Sequence, residues 1–149
     1  MAVCGEKHTF FVTINGQLLA AGLSESGALG CMSDSSDYTL DTPQRVNGLS
    51  RVKDVATCIE HTLAIDYDTG DLYGWGRLSL GKLGLGNDKQ ARLNVPTLIK
   101  NFKPKEGNNA NFVMVACSAE FSIALDSVGG LWYTGMKNYE GSYGIEGMV

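Results

Sequence analysis

Short runs of β-branched and aromatic residues alternate with glycine-bearing turns along this 149-residue chain. Thr9 to Ile14 is such a run, and Gln17 to Ala21 is its mate across Asn15-Gly16. Residues of this kind suit a pleated, half-buried surface. Asn-Gly favours the two-residue hairpin turn in which both central residues take positive φ. Leu63 to Tyr67 and Asp71 to Trp75 flank Asp68-Thr69-Gly70 in the same way, and Ser122 to Asp126 and Leu131 to Thr134 flank Gly129-Gly130. No stretch holds the 3.6-residue period of an amphipathic helix. The pattern predicts three antiparallel hairpins in an all-β fold.

The hairpins sit inside an internal repeat. Val3 to Val12, Ala56 to Ile65 and Ala116 to Leu125 align, with His8, His61 and Phe121 as anchors spaced 53 and 60 residues apart. Each anchor is followed 14 or 15 residues later by Gly22, Gly76 or Gly135. Gly27-Ala28-Leu29-Gly30 and Gly81-Lys82-Leu83-Gly84 come next, with Gly141-Ser142-Tyr143-Gly144 in the third copy. Pro43 and Pro96 then lead the closing segments. Landmarks in one order, recurring at about 50 residues, are the signature of propeller blades. The expected units are about 1–53, 54–113 and 114–149, the last incomplete because it has no counterpart of Pro43 or Pro96.

Composition agrees. Hydrophobic residues make up 44% of the chain and charged residues 19%, enough to bury a core. Nineteen glycines beside three prolines suit many tight turns. A net charge of −4 argues against nucleic acid as the partner. No apolar run is long enough to span a bilayer. Cys4, Cys31, Cys58 and Cys117 form no C-x-x-C pair or zinc-spaced cluster, and are expected to be small buried hydrophobes in a reduced, cytoplasmic protein.

The landmarks resemble the repeat of the regulator of chromosome condensation family. The second unit matches best, through His61-Thr62, Leu72-Tyr73-Gly74-Trp75-Gly76 and Gly81-Lys82-Leu83-Gly84-Leu85-Gly86. The first keeps His8-Thr9 and Pro43-Gln44-Arg45-Val46 but has Ala21-Gly22 in place of Trp-Gly; the third has Phe121-Ser122 and Thr134-Gly135. The resemblance implies four-stranded blades of a seven-bladed ring, of which about two and a half repeats are present. It also implies a non-catalytic interaction or scaffold module whose partners are other proteins, and whose open edges are covered by a partner chain or by self-association. Some members of that family are guanine-nucleotide exchange factors for a small GTPase of the Ran type, which is the alternative reading.

Candidate chemistry is sparse. His8 and His61 hold equivalent repeat positions, so they are expected to be buried and hydrogen-bonded to backbone near the Gly-rich turns rather than paired as a base or metal site. The Gly-rich turn 81–86 lacks the helix of a phosphate loop, and no cofactor is expected. The segment 34–41 is acidic and serine-bearing, a weak candidate for phosphorylation. The feature left over is a change of sign. Residues 77–105 hold seven basic side chains and one acidic in a chain that is otherwise acidic. Arg77, Lys82, Lys89, Arg92, Lys100, Lys103 and Lys105 are the candidate partner-binding residues, read as one positive blade face that meets an acidic partner.

Overall fold

The computed structural model describes residues 1–32, 34–85, 90–100, 111–137 and 142–148. Strands β1 (Ala2–Cys4), β2 (His8–Val12), β3 (Leu18–Ser24) and β4 (Tyr38–Arg45) form one antiparallel sheet in that order. Strands β5 (Val52–Thr57), β6 (His61–Asp66), β7 (Leu72–Arg77) and β8 (Arg92–Leu98) form the second. The third holds β9 (Phe112–Cys117), β10 (Phe121–Asp126), β11 (Leu131–Lys137) and β12 (Ser142–Met148). Among the described residues no ladder joins one sheet to another, and the only helical element is a 3₁₀ turn at Ser79–Gly81. The expected hairpins are therefore present, antiparallel and in separate sheets.

The sheets stack as blades. Strand β5 packs against β1 on one side and β9 on the other, so the first strand of each sheet is innermost. Three blades do not close a ring. The middle strand β6 is buried along its whole length because it is covered on both faces. Ala64 enters a core with Phe10, Leu18, Val55 and Trp75 between the first two blades. Leu63 and Ile65 enter a second core with Leu83, Ile99, Phe112 and Ala124, between the second and third blades. Alternation thus gives each strand one face for each neighbour.

Three local details differ from the expectation. The first hairpin is not a two-residue turn with paired positive φ. Thr13 O accepts from Gly16 N, Thr13 N donates to Gln17 O, and only Gly16 has positive φ, at 78°. That is a type I turn closed by a left-handed glycine, whose bulge restores the strand twist. The third sheet has a fourth strand, β12, paired with β11 from Leu131↔Met148 to Lys137↔Ser142, where the sequence suggested that the unit stops short. A proline is not needed for the outermost strand. In the first two blades Pro43 and Pro96 lie within β4 and β8, where the register with the inner neighbour shifts. Such bulged edge positions tolerate a residue with no N–H.

The recurring glycine after the hairpin has a steric cause. Gly22, Gly76 and Gly135 have φ of 107°, 97° and 129°. A Cβ at these positions would run into the carbonyl oxygens of Lys7, Glu60 and Glu120, the residues that precede the three anchors. Glycine alone combines that backbone with that approach.

Candidate interaction surfaces

The blades are held together by buried polar relays, and these account for both histidines. His61 is fully buried, and its Nε2 lies 2.9 Å from Ser122 Oγ in the next blade. Ser122 Oγ donates to the carbonyl of Lys82 at 2.6 Å. The hydroxyl has one proton, already committed, so His61 must donate through Nε2–H, which leaves Nδ1 as an unpartnered acceptor. Burial, with the Lys82 charge beside it, pushes the imidazole down to about 3, so the ring is neutral at pH 7.

The first junction uses the same scheme with one more hydroxyl. His8 Nε2 lies 2.6 Å from Thr57 Oγ1, which lies 2.9 Å from Thr62 Oγ1, which donates to the Ala28 carbonyl at 2.9 Å. Thr57 corresponds to Cys117 in the next blade, which carries no hydroxyl, and that explains why the second relay is shorter. The histidines are buried as expected, but their partners are hydroxyls of the neighbouring blade rather than backbone. The turn carbonyl is reached only at the end of the relay. The Ala28 carbonyl also accepts from the Trp75 indole at 2.8 Å. At the next junction Thr134 replaces that tryptophan and donates to Gly81 O at 2.7 Å.

The meander places connections on two rims. One carries the three tight hairpins and the links between blades, and the other carries the Gly-rich loops. The four basic candidates among the described residues do not share one face. Lys89, Lys103 and Lys105 lie outside the described residues. Arg77 and Arg92 are cross-strand neighbours on the loop rim, and Arg77 is paired with Glu60. Lys100 is exposed at the hairpin rim, beyond the far end of β8 from Arg92. Lys82 is not a surface residue. It is 3% exposed, donates to Ala119 O at 2.9 Å and lies 3.7 Å from Glu60, joining the second blade to the third. The sequence placed its charge on a loop, but the turn folds that side chain into the junction. The acidic segment is likewise built in at Ser36, which is buried and whose carbonyl accepts from Gly27 N and Ser24 Oγ. The cysteines are less buried than expected. Cys4 is exposed and the other three are intermediate.

The hairpin rim holds a feature that the sequence did not reveal. A groove of about 480 Å³ opens at the junction of the first two blades, lined by residues 12–16, 51–53 and Tyr67. Ile14 is fully exposed at its lip and Tyr67 is 60% exposed. Arg51 lies over the Tyr67 ring, 4.6 Å from its centroid, and is paired with Asp68. Lys53 is exposed, and no hydrogen bond or ion pair claims it among the described residues. These residues are far apart in sequence and sit in the acidic part of the chain. The hand-over between blades and the β5–β6 pairing bring them together: Val52 N donates to Gly16 O at 2.8 Å across the junction, and Tyr67 N to Arg51 O at 2.8 Å within the second blade.

The repeat and the blades find their counterpart in known proteins. The family model of the Regulator of chromosome condensation (RCC1) repeat matches residues 15–65 and 69–125. The chain belongs to this family. Among RCC1-repeat proteins it is 36% identical over 138 residues to the ultraviolet-B receptor UVR8 of Arabidopsis thaliana, a match that covers 91% of this chain and 29% of the receptor. It is 34% identical over 134 residues to the Protein RCC2 homolog of Danio rerio, covering 89% of this chain and 25% of that one. Among solved structures, Prp20p of Saccharomyces cerevisiae superposes with a TM-score of 0.75 at 26% identity, over 91% of this chain and 32% of Prp20p. That protein is described with its binding to Gsp1p and histones. Human WBSCR16 shares the fold, with a TM-score of 0.75 at 21% identity over 97% of this chain and 37% of its own. The chain thus spans roughly a quarter to a third of these relatives.

Proposed function

We propose that this chain is a non-catalytic protein-interaction module, three blades of an RCC1-type propeller that present loops and hairpins to other proteins. The observation that carries this reading is the division of polar side chains. Those at the junctions are buried and committed to neighbouring blades, while the rims carry exposed aromatic, apolar and cationic groups on a rigid support. Rigid scaffolds that display loops suit recognition, and the partner-binding described for Prp20p fits this use of the fold.

A photo-crosslinking residue placed in turn at rim and blade-face positions of the full chain tests the reading in native extract. Adducts should cluster on one rim, either the loop rim at positions such as Arg92 or the hairpin rim at positions such as Val128. Adducts spread evenly over the surface, or none at all, would overturn it. A second reading, guanine-nucleotide exchange on a small GTPase of the Ran type, is favoured by the likeness to Prp20p, which binds Gsp1p. Acceleration of labelled-GDP release from such a GTPase by the chain would select that reading over the first.

A further inference from the structure

The groove on the hairpin rim has an internal control. The second junction repeats its backbone bonds, with Phe112 N donating to Gly70 O at 3.1 Å and Ser127 N to Asn111 O at 2.9 Å. Those bonds make Arg51, Val52, Lys53 and Tyr67 equivalent to Asn111, Phe112, Val113 and Ser127. The apolar member of the set is kept, because it is buried at both junctions. Among these equivalents, neither cation nor the tyrosine ring has a counterpart. Joining two blades therefore does not require Arg51, Lys53 or Tyr67.

What the three residues offer is donor groups beside apolar surface. Asp68 takes two of the N–H groups of Arg51, from Nε and Nη2. A guanidinium has about five, so roughly three remain. Stacking on Tyr67 and pairing with Asp68 fix the guanidinium in place, so little side-chain entropy is left to lose on binding. Lys53 adds three unclaimed donors on the other side of the groove. Ile14 and Tyr67 supply exposed apolar area at either lip. Arg and Tyr are the residue types that dominate binding hot spots.

We propose that this groove binds an acidic peptide segment of a protein partner, with carboxylates on Arg51 and Lys53 and an apolar side chain between Ile14 and Tyr67. The inference rests on the interaction-module reading and names the chemistry of one of its partners. Asp68 offsets the charge of Arg51, so it is the spare N–H groups of Arg51 and the unpaired charge of Lys53 that select acceptor-rich, negatively charged chains, and the neighbouring apolar surface selects a peptide over a bare anion.

The test titrates the full chain with a fluorescein-labelled peptide of alternating Glu and Leu. Saturable binding is expected, weakening as salt is raised across the range where surface charges are screened. The triple variant R51N/K53V/Y67S carries what the second junction already uses at the same backbone positions, so it keeps the fold. It should bind at least about tenfold more weakly, the equivalent of about 1.4 kcal/mol. R92E, on the opposite rim, should bind unchanged. Equal binding of a Lys-for-Glu peptide, equal binding of poly-Glu without leucine, or undiminished binding by the triple variant would each overturn the proposal. Failure here with rim-clustered crosslinks leaves the module reading standing, while evenly spread or absent crosslinks remove that reading whatever the peptide does.

Discussion

Ser122→Ala is the sharpest perturbation of the blade junction, because the hydroxyl serves two buried groups at once. It accepts from His61 Nε2–H and donates to the Lys82 carbonyl, and Ser122 itself is 2% exposed. Removing it leaves both groups without that partner, beside an Nδ1 that already has none. Each buried group stranded in this way costs about 1–3 kcal/mol, so the variant should lose about 2–6 kcal/mol. His61→Leu is a different case. It removes the donor and the orphaned Nδ1 together, keeps a similar apolar volume, and leaves Ser122 still donating to Lys82 O, so its cost should stay below about 1.5 kcal/mol. In the double variant only the Lys82 carbonyl is stranded, which predicts a favourable coupling of about 1–3 kcal/mol relative to the sum of the single changes. Urea unfolding of the full chain, followed by the fluorescence of the buried Trp75, gives all four corners of the cycle. A loss of 2 kcal/mol lowers the midpoint by about 1 M. A Ser122→Ala cost under about 0.5 kcal/mol, or a strictly additive double variant, would refute the relay.

Three further outcomes follow from the same geometry. Both histidines are held below their ordinary value by burial, so the unfolded chain binds more protons than the folded one below about pH 6.5; stability is complete above that value and should fall as pH drops from 7 to 5, approaching about 1.4 kcal/mol per pH unit for His61, with His8 acting in the same direction. His61→Leu should flatten that fall, and urea midpoints at three pH values check it. Gly76→Ala should cost at least about 1–3 kcal/mol for its φ of 97°, more because the new Cβ meets the Glu60 carbonyl, with expression and thermal melting as the measurements. An amine-reactive reagent followed by peptide mass mapping should label Lys53 and Lys7 well before Lys82, whose ammonium is buried in the junction; equal rates would return Lys82 to the surface.

The repeat made the blade architecture legible, because hairpins, glycines and anchors recur in order and each has a local physical cause. Turn geometry was less legible. Asn15-Gly16 marked the right place but not the right turn, since one bulged glycine satisfies the strand twist as well as two residues at positive φ. The burial of Lys82 was invisible because its neighbours Glu60 and Ala119 are distant in sequence, and a lysine in a Gly-rich loop resembles any solvated loop charge. The groove was invisible for the same reason: Ile14, Arg51, Lys53 and Tyr67 meet only when one blade hands its hairpin to the next. The seven basic residues did attract notice through their density in sequence, yet strand β8 carries Arg92 and Lys100 to opposite rims. Density along the chain is a poor guide to a face in a fold whose connections alternate between two edges.

The relays also give each blade a direction, which bears on what can cover its bare faces. A hydroxyl at Thr62 or Ser122 faces the preceding blade, and a histidine at His8 or His61 faces the following one. Thr9 is the equivalent hydroxyl of the first blade, and among the described residues its partner is the Cys4 sulfur at 3.7 Å. A blade that carries a histidine and a free turn carbonyl would complete it, as His8 and Ala28 complete the second blade. The third blade offers no histidine. Phe121 stands at that position, 41% exposed, with Met114 and Leu131 also exposed on the same sheet. Its natural complement is an apolar surface with no hydroxyl to satisfy. Stacking one copy of this chain head to tail on another would set Thr9 against Phe121 and leave the hydroxyl without its donor imidazole, a loss for a buried polar group. The face of the first blade thus suits a neighbour that supplies an imidazole, and the face of the third suits an apolar one.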